Sequence, residues 1–296
     1  KPGNIKKVCH EFDLNSYQEE ILAQAIHSNE YDQQFNWSKY TSSRLERQLL
    51  QSKRRVRCKE LLLEFIGRYH YDRCCNSSNP LVMDYPPLAQ IELVSICNYR
   101  CIFCYQTDET FSGKASAHMG FIDVDLFKQI IDELEGNVPY ITFASRGEPT
   151  LHKDFVELLK YCKDKFIDIK INTNASLITK EKAEAMIDAC DTIVFSIDTP
   201  DKEQYPKIRV NGNFDRVLDN INLFNEQRSI HPRNSVIRTR ASGVYFDHDR
   251  QEFKKQKRFF SRYVDEISFV EYHPWEKLYT FDQESMSEKF CNNPFY

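Results

Sequence analysis

At 296 residues, with 40 Lys and Arg against 44 Asp and Glu, the chain has a formal charge of −4 and a pI near 6.1, which excludes a global attraction for nucleic acid. No apolar run approaches the roughly 20 residues of a membrane span, and the N-terminus lacks the apolar core of a signal peptide. Ten cysteines are spread irregularly through a chain long enough to bury a substantial core, so they read as thiols of a reducing, cytoplasmic compartment rather than as a disulfide scaffold.

Residues 1–85 have few strand-like runs and carry apolar residues at helical spacing, such as Ile21, Leu22, Ala25 and Ile26, which predicts a helical N-terminal extension. Its first residue, Lys1 in place of Met, reads as a trimmed start. A basic run (Lys53, Arg54, Arg55, Arg57, Lys59) leads into Leu61, Leu62, Leu63, Phe65 and Ile66. That pattern suits the solvated face of an amphipathic helix better than an anionic or membrane-surface site. Cys74-Cys75 and the following Asn76-Ser77-Ser78-Asn79-Pro80 look like a turn-rich link, since adjacent cysteines can hardly ligate one metal in a relaxed geometry.

Residues 86–275 alternate β-rich and helical runs. Strands are expected at Ala89–Ile96, Tyr140–Ala144, Ile167–Asn172, Thr192–Ile197, Val236–Gly243 and Glu266–Glu271, with helices near 123–135, 153–164, 179–189, 213–228 and 249–260. Asp123 and Thr179 stand where N-caps belong. This rhythm implies parallel βαβ units with right-handed crossovers. Six units give an α/β fold of partial (β/α)6 TIM-type barrel, too short for the eightfold barrel; a doubly wound sheet fits the alternation equally well.

The first expected strand ends in Cys97-Asn98-Tyr99-Arg100-Cys101-Ile102-Phe103-Cys104, three cysteines spaced C-x3-C-x2-C. Three thiolates on one tight loop can ligate three irons of a [4Fe-4S] cube and leave the fourth iron without a protein ligand. A zinc site would want a fourth Cys or His. The loop resembles the signature of the radical S-adenosylmethionine (radical SAM) enzymes, and that resemblance favours the partial barrel. It implies that the open iron chelates the amino and carboxylate groups of SAM, with Phe103 a hydrophobic neighbour of the adenine. It also implies the reaction: reductive cleavage of SAM yields a 5′-deoxyadenosyl radical, which abstracts hydrogen from a polar substrate, a sugar-type metabolite or a peptide. The electron would come from a donor such as flavodoxin or ferredoxin.

Ligands of parallel α/β folds lie at the carboxyl ends of the strands, so each end is a candidate site. Ser145-Arg146-Gly147-Glu148-Pro149 resembles the family's Gly-Glu-Pro element, with Gly147 allowing backbone carbonyls near the methionine amino group and Glu148 complementing its charge. Asn172-Thr173-Asn174 is similar to the family's Thr-Asn-Gly turn, Asn174 approaching SAM and Ala175 replacing the usual Gly. Ser196 and Asp198 share a face at the fourth strand's end, Ser196 as a cofactor contact and Asp198 as a substrate contact. Arg209 leads into a Gly-containing turn similar to the family's and is expected to fork onto the SAM carboxylate. On the fifth strand Arg238, Arg240 and Ser242 share a face, which suits a polar cavity, and Arg240 is the leading substrate contact. His273 is a further acid or base candidate near the last strand.

Segment 276–296 contains Cys291, followed closely by Pro294 and aromatic residues, and resembles the opening of the cysteine-rich modules called SPASM or twitch, which hold auxiliary clusters. Cys291 is therefore either an auxiliary-cluster ligand or an ordinary buried thiol. The rival to the enzyme as a whole is a non-catalytic iron-sulfur or zinc protein on the same barrel.

Overall fold

The computed structural model describes residues 85–272, apart from 87, 109–111, 114–118, 139, 167 and 246–249. The N-terminal extension with its basic run and Cys74-Cys75, and the segment with His273 and Cys291, lie outside the described residues.

Six strands form one parallel sheet: β1 (Leu88–Gln90), β3 (Tyr140–Phe143), β4 (Asp168–Thr173), β5 (Thr192–Ser196), β7 (Arg238–Tyr245) and β8 (Glu266–Glu271). Two short strands, β2 (Arg100–Cys101) and β6 (Arg209–Val210), pair antiparallel outside it. Helices α1 (Val124–Leu134), α2 (Phe155–Cys162), α3 (Lys180–Ala189), α5 (Phe214–Ile230) and α6 (Arg250–Phe260) cross between sheet strands, and a single turn, α4 (Tyr205–Ile208), precedes β6. The sheet order is β1-β3-β4-β5-β7-β8, so each strand lies beside its predecessor with no reversal. A doubly wound sheet reverses its order at a switch point. This one winds in a single direction, the mark of an open barrel.

Local chemistry sets the elements. Asp123 accepts hydrogen bonds from the Asp125 and Leu126 amides at the start of α1, and Thr179 accepts from the Lys182 amide at the start of α3. In β4 burial alternates, with Ile169, Ile171 and Thr173 buried and Asp168, Lys170 and Asn172 less so. The apolar faces of β3, β4 and β5 pack against α1, α2, α3 and α5 through Ile141, Phe143, Ile171, Phe195, Phe127, Leu158, Met186 and Phe224, all at most 1 % exposed. Each such side chain contributes about 1.5–3 kcal/mol relative to exposure. The opposite face of the sheet is polar.

The first strand is shorter than its sequence suggests. Beyond Gln90 the apolar run leaves the sheet: the Ile122 amide donates to Leu93 O (3.0 Å), Ser95 N donates to Gly120 O (3.0 Å), and the Glu148 amide donates to Ile96 O (2.9 Å). The run is strand-like in composition because it is buried, yet its partners are the approach to α1 and the turn after β3.

Candidate functional site at the strand ends

The cysteine loop sits at the carboxyl end of β1 and is held from three sides. From within, Arg100 Nη1 donates to Cys97 O (2.7 Å) and Tyr99 O (2.9 Å). From below, Gln106, which is 1 % exposed, donates its Nε2 to Ser95 O (2.7 Å) and Arg146 O (2.8 Å), tying the loop to the turn after β3. From the side, β6 pairs with β2, placing Cys101 opposite Arg209, and Ile102 N donates to Ile208 O (3.0 Å).

Cys101 is buried, while Cys97 and Cys104 are half-buried; all three are free thiols. Burial pushes all three pKa values up, that of Cys101 to about 12. The thiols are near enough to one another that ionising one disfavours ionising the next. Such a trio becomes anionic only with compensating positive charge or bound metal. Donors already approach the sulfurs: Arg209 Nη1 lies 3.7 Å from Cys101 Sγ, and the Tyr99 amide 3.4 Å from Cys97 Sγ.

Arg209, the residue expected to fork onto the SAM carboxylate, is buried and engaged within the protein. Its Nε and Nη2 donate to Asp198 Oδ2 (2.5 Å) and Oδ1 (3.1 Å), so the edge expected to fork onto a SAM carboxylate is taken by a carboxylate of the protein. Phe103 lies over the same guanidinium, 5.5 Å from ring centroid to Cζ. Asp198 accepts in addition from the Val244 amide (2.8 Å), so the expected substrate contact is a buried structural anion. Gly243 makes this approach possible: a Cβ there would come within 2.4 Å of Ile197 O and 2.8 Å of Asp198 Cα.

Glu148 is likewise engaged within the protein. Its carboxylate is 2 % exposed and accepts from Thr150 Oγ1 (2.5 Å), Thr150 N (3.1 Å), Thr173 Oγ1 (2.7 Å) and Asn174 N (2.7 Å). It clamps the end of β4 to the turn after β3, and its oxygens are already supplied with donors. Burial raises its pKa despite those donors. Gly147 packs under Val94 and Ile96, whose carbonyl oxygens would lie 2.0 and 2.6 Å from an added Cβ.

Asn174 lies against the cysteine loop. Its Nδ2 donates to Asn98 Oδ1 (2.9 Å), and Asn98 in turn donates to Ser176 Oγ (2.9 Å). Ala175 adopts φ 61°, so the turn keeps the left-handed backbone that glycine would take freely. Ser196 ends β5 in register with Ser242 of β7. Arg240 lies deeper in the sheet and donates Nε and Nη2 to Glu266 Oε2 (2.9 and 2.7 Å), so its fork too is occupied within the wall.

Sequence reasoning missed several residues. Asn98, Gln106 and the part-buried ion pair of Glu92 with Arg146 (2.5 Å) all lock the loop to neighbouring strand ends. The only local signal was the charged Glu92 inside an otherwise apolar run; Gln106 opens a polar stretch and carried none.

The radical SAM superfamily model matches residues 91–238, half of the chain. The chain belongs to the radical SAM superfamily. Radical SAM proteins use a [4Fe-4S] cluster and SAM. It is 31 % identical over 134 residues to a probable GTP 3′,8-cyclase of Methanococcus maripaludis, covering 45 % of this chain and 43 % of that one. It is 33 % identical over 144 residues to the mycofactocin maturase MftC of Mycolicibacterium smegmatis, covering 47 % and 35 %. The chain thus spans less than half the length of these relatives. In fold it is similar to SuiB of Streptococcus suis bound to the precursor peptide SuiA, with a TM-score of 0.53 at 21 % identity, covering 72 % of this chain and 44 % of that one. Among the described residues no helix is long and apolar enough to cross a membrane.

Proposed function

We propose that this barrel binds a [4Fe-4S] cluster through Cys97, Cys101 and Cys104 and uses it to cleave SAM reductively, acting on a peptide or another polar substrate. The observation that carries the reading is the cysteine loop at the carboxyl end of a singly wound parallel sheet, fastened to the ends of β1, β3 and β5 by Gln106, Arg146, Arg209 and Asp198. The chemistry of the donors suits the group: three thiols of one loop, N–H donors at Cys97 and Cys101 Sγ, and the buried Arg209 cation beside Cys101 to offset the charge of its thiolate.

When bound, a cluster held by Cys97, Cys101 and Cys104 would supply the electron for reductive cleavage of SAM and so the hydrogen-abstracting chemistry. The chain's residues provide position and shielding. Arg209 offsets negative charge at Cys101, and Asp198 fixes the guanidinium so that it cannot turn away. Phe103, the Gly147 turn, Asn174 and Ser196 are assigned to the SAM pocket. The peptide class is supported by MftC and by SuiB with its bound peptide; the electron donor would be a flavodoxin or ferredoxin.

The test is anaerobic reconstitution with iron and sulfide, then incubation with SAM and dithionite. Formation of 5′-deoxyadenosine that is lost in C101A supports the reading. A cluster-loaded chain that never cleaves SAM selects the non-catalytic rival, and zinc without iron after anaerobic purification selects a zinc protein. Iron beyond one [4Fe-4S] cube per chain, reduced by C291A, would assign Cys291 to an auxiliary cluster.

A further inference from the structure

The sheet face turned away from the helices carries a polar wall below the cysteine loop. Gln90, Thr142, Lys170, Thr192 and Arg238 stand in register across five strands. The next row toward the loop holds Asn172, Val194, Arg240 and Glu266. Two of the three cations are answered within the wall. Arg240 donates to Glu266 Oε2 at 2.7 Å, and Arg238 Nη1 lies 3.6 Å from Oε1 of the same residue.

Lys170 is different. It has no hydrogen-bond or ion-pair partner among the described residues; burial and then the neighbouring Arg240 oppose its charge, and Asp168, two residues before it on β4, offsets them only in part. On the strand beside it, Thr142 is 4 % exposed and its Oγ1 has no hydrogen-bond partner among the described residues; two residues along β4 toward the loop, Asn172 Oδ1 is also buried and lacks one among them. A buried polar group without a partner pays its desolvation with nothing in return. Three unanswered groups on two adjacent strands are a cost that the fold does not recover within the wall.

The missing partners have one chemistry. An ammonium and a hydroxyl can both donate to a carboxylate, and an amide oxygen accepts an N–H. We propose that Lys170, Thr142 and Asn172 form a substrate subsite for a carboxylate with an amide N–H beside it, the chemistry of an acidic residue in a peptide. Asn172 and Lys170 lie two and four residues before Asn174 on β4, about 7 and 13 Å below the strand-end layer at ~3.3 Å per residue. An extended peptide entering from that layer spans this depth in roughly two to four residues. The proposal rests on the catalytic reading for which end of the substrate reacts, and its binding test runs without SAM or reductant, so the two can fail separately.

The test is equilibrium dialysis of the reconstituted full chain against radiolabelled N-acetylaspartate, with succinate and the neutral diamide of N-acetylaspartate as comparators. Saturable binding of N-acetylaspartate is expected, tighter than succinate and at least about tenfold tighter than the diamide. K170Q should weaken it by about tenfold or more and T142V severalfold, while K170R retains most of it. T142V carries the test alone should K170Q fail to fold. Equal binding by the wild-type protein and T142V, equal affinity for the acid and its diamide, or no binding of the acid would each overturn the proposal.

Discussion

Arg209 and Asp198 form a buried bidentate ion pair whose third guanidinium nitrogen lies 3.7 Å from Cys101 Sγ, so an anion at the end of β5 controls a cation beside a cluster-loop thiol. Breaking a buried pair from one side leaves an uncompensated charge and costs about 3–5 kcal/mol, whereas removing both partners is far cheaper. R209M should therefore lower unfolding free energy by that amount, and R209M/D198L should recover much of it. R209K, which keeps the charge but not the fork, should fall between wild type and R209M. Urea denaturation of wild type, R209M, D198L and R209M/D198L measures the coupling, with R209K read beside them. Additive losses would sink the relationship. In reconstituted R209K the loss of the N–H near Cys101 should also move the cluster's reduction to lower potential, read by a redox titration followed by EPR.

Glu148 should behave as a structural clamp with a pH signature. E148Q turns an NH2 toward donors that now meet a carboxylate, at a cost of about 1–3 kcal/mol. Because burial raises the pKa of Glu148, the native state keeps a proton that the unfolded chain has already lost. The group's contribution is therefore complete below the ordinary carboxylate pKa and is lost as pH rises through the folded value. Stability curves taken upward from the ordinary carboxylate range should show this decline in the wild-type protein, and E148Q should remove that component of the slope. An unchanged slope would assign the pH dependence elsewhere.

Gly147 and Gly120 offer a matched pair of substitutions. An alanine Cβ at 147 would lie 2.0 Å from Val94 O, so the backbone leading into the cysteine loop must shift; at 120 nothing lies within 4 Å. G147A should cost about 1–3 kcal/mol or more and reduce iron retained after reconstitution. G120A should stay within about 0.5 kcal/mol of wild type. Thermal unfolding with iron analysis of both variants checks this, and equal behaviour would refute the steric account.

Much of this architecture is legible in the sequence because it is periodic or local. Ile169 and Ile171 announce a strand buried on one face, and Asp123 and Thr179 announce helix starts. The three cysteines are close in sequence, so their spacing carries the loop. Ala175 kept the turn's left-handed φ even without glycine, because the Thr173 hydroxyl and the Asn220 amide hold its backbone N–H and C=O. What sequence hides is pairing at a distance. Two-residue strands such as β2 and β6 have no period to read. Arg209, Glu148 and Arg240 were each recognisable as residues of a polar site, but their partners Asp198, Thr173 and Glu266 come from other segments, and those partners occupy the groups that a ligand was expected to meet. Lys170 escaped notice for the converse reason: a lysine in a strand reads as an exposed position until its neighbours across the sheet are known.

Gln106 supplies the most direct test of how the loop is fastened. Its amide nitrogen donates to Ser95 O and Arg146 O, two carbonyls that have lost contact with water around a residue that is 1 % exposed. Q106L removes the donor and leaves both carbonyls short of a partner, a loss of about 1–3 kcal/mol. Q106E is worse at neutral pH, because it turns carboxylate oxygens toward carbonyl oxygens in a dry site. The introduced carboxyl can relieve this only by holding a proton, so its folded pKa lies above the unfolded one and the variant loses stability as pH rises through that window. Lowering the pH should therefore bring Q106E closer to the wild-type protein while leaving the gap to Q106L unchanged. Denaturation at two pH values reads both gaps, and a Q106E gap that is independent of pH would show that Gln106 does not hold the loop through these two carbonyls.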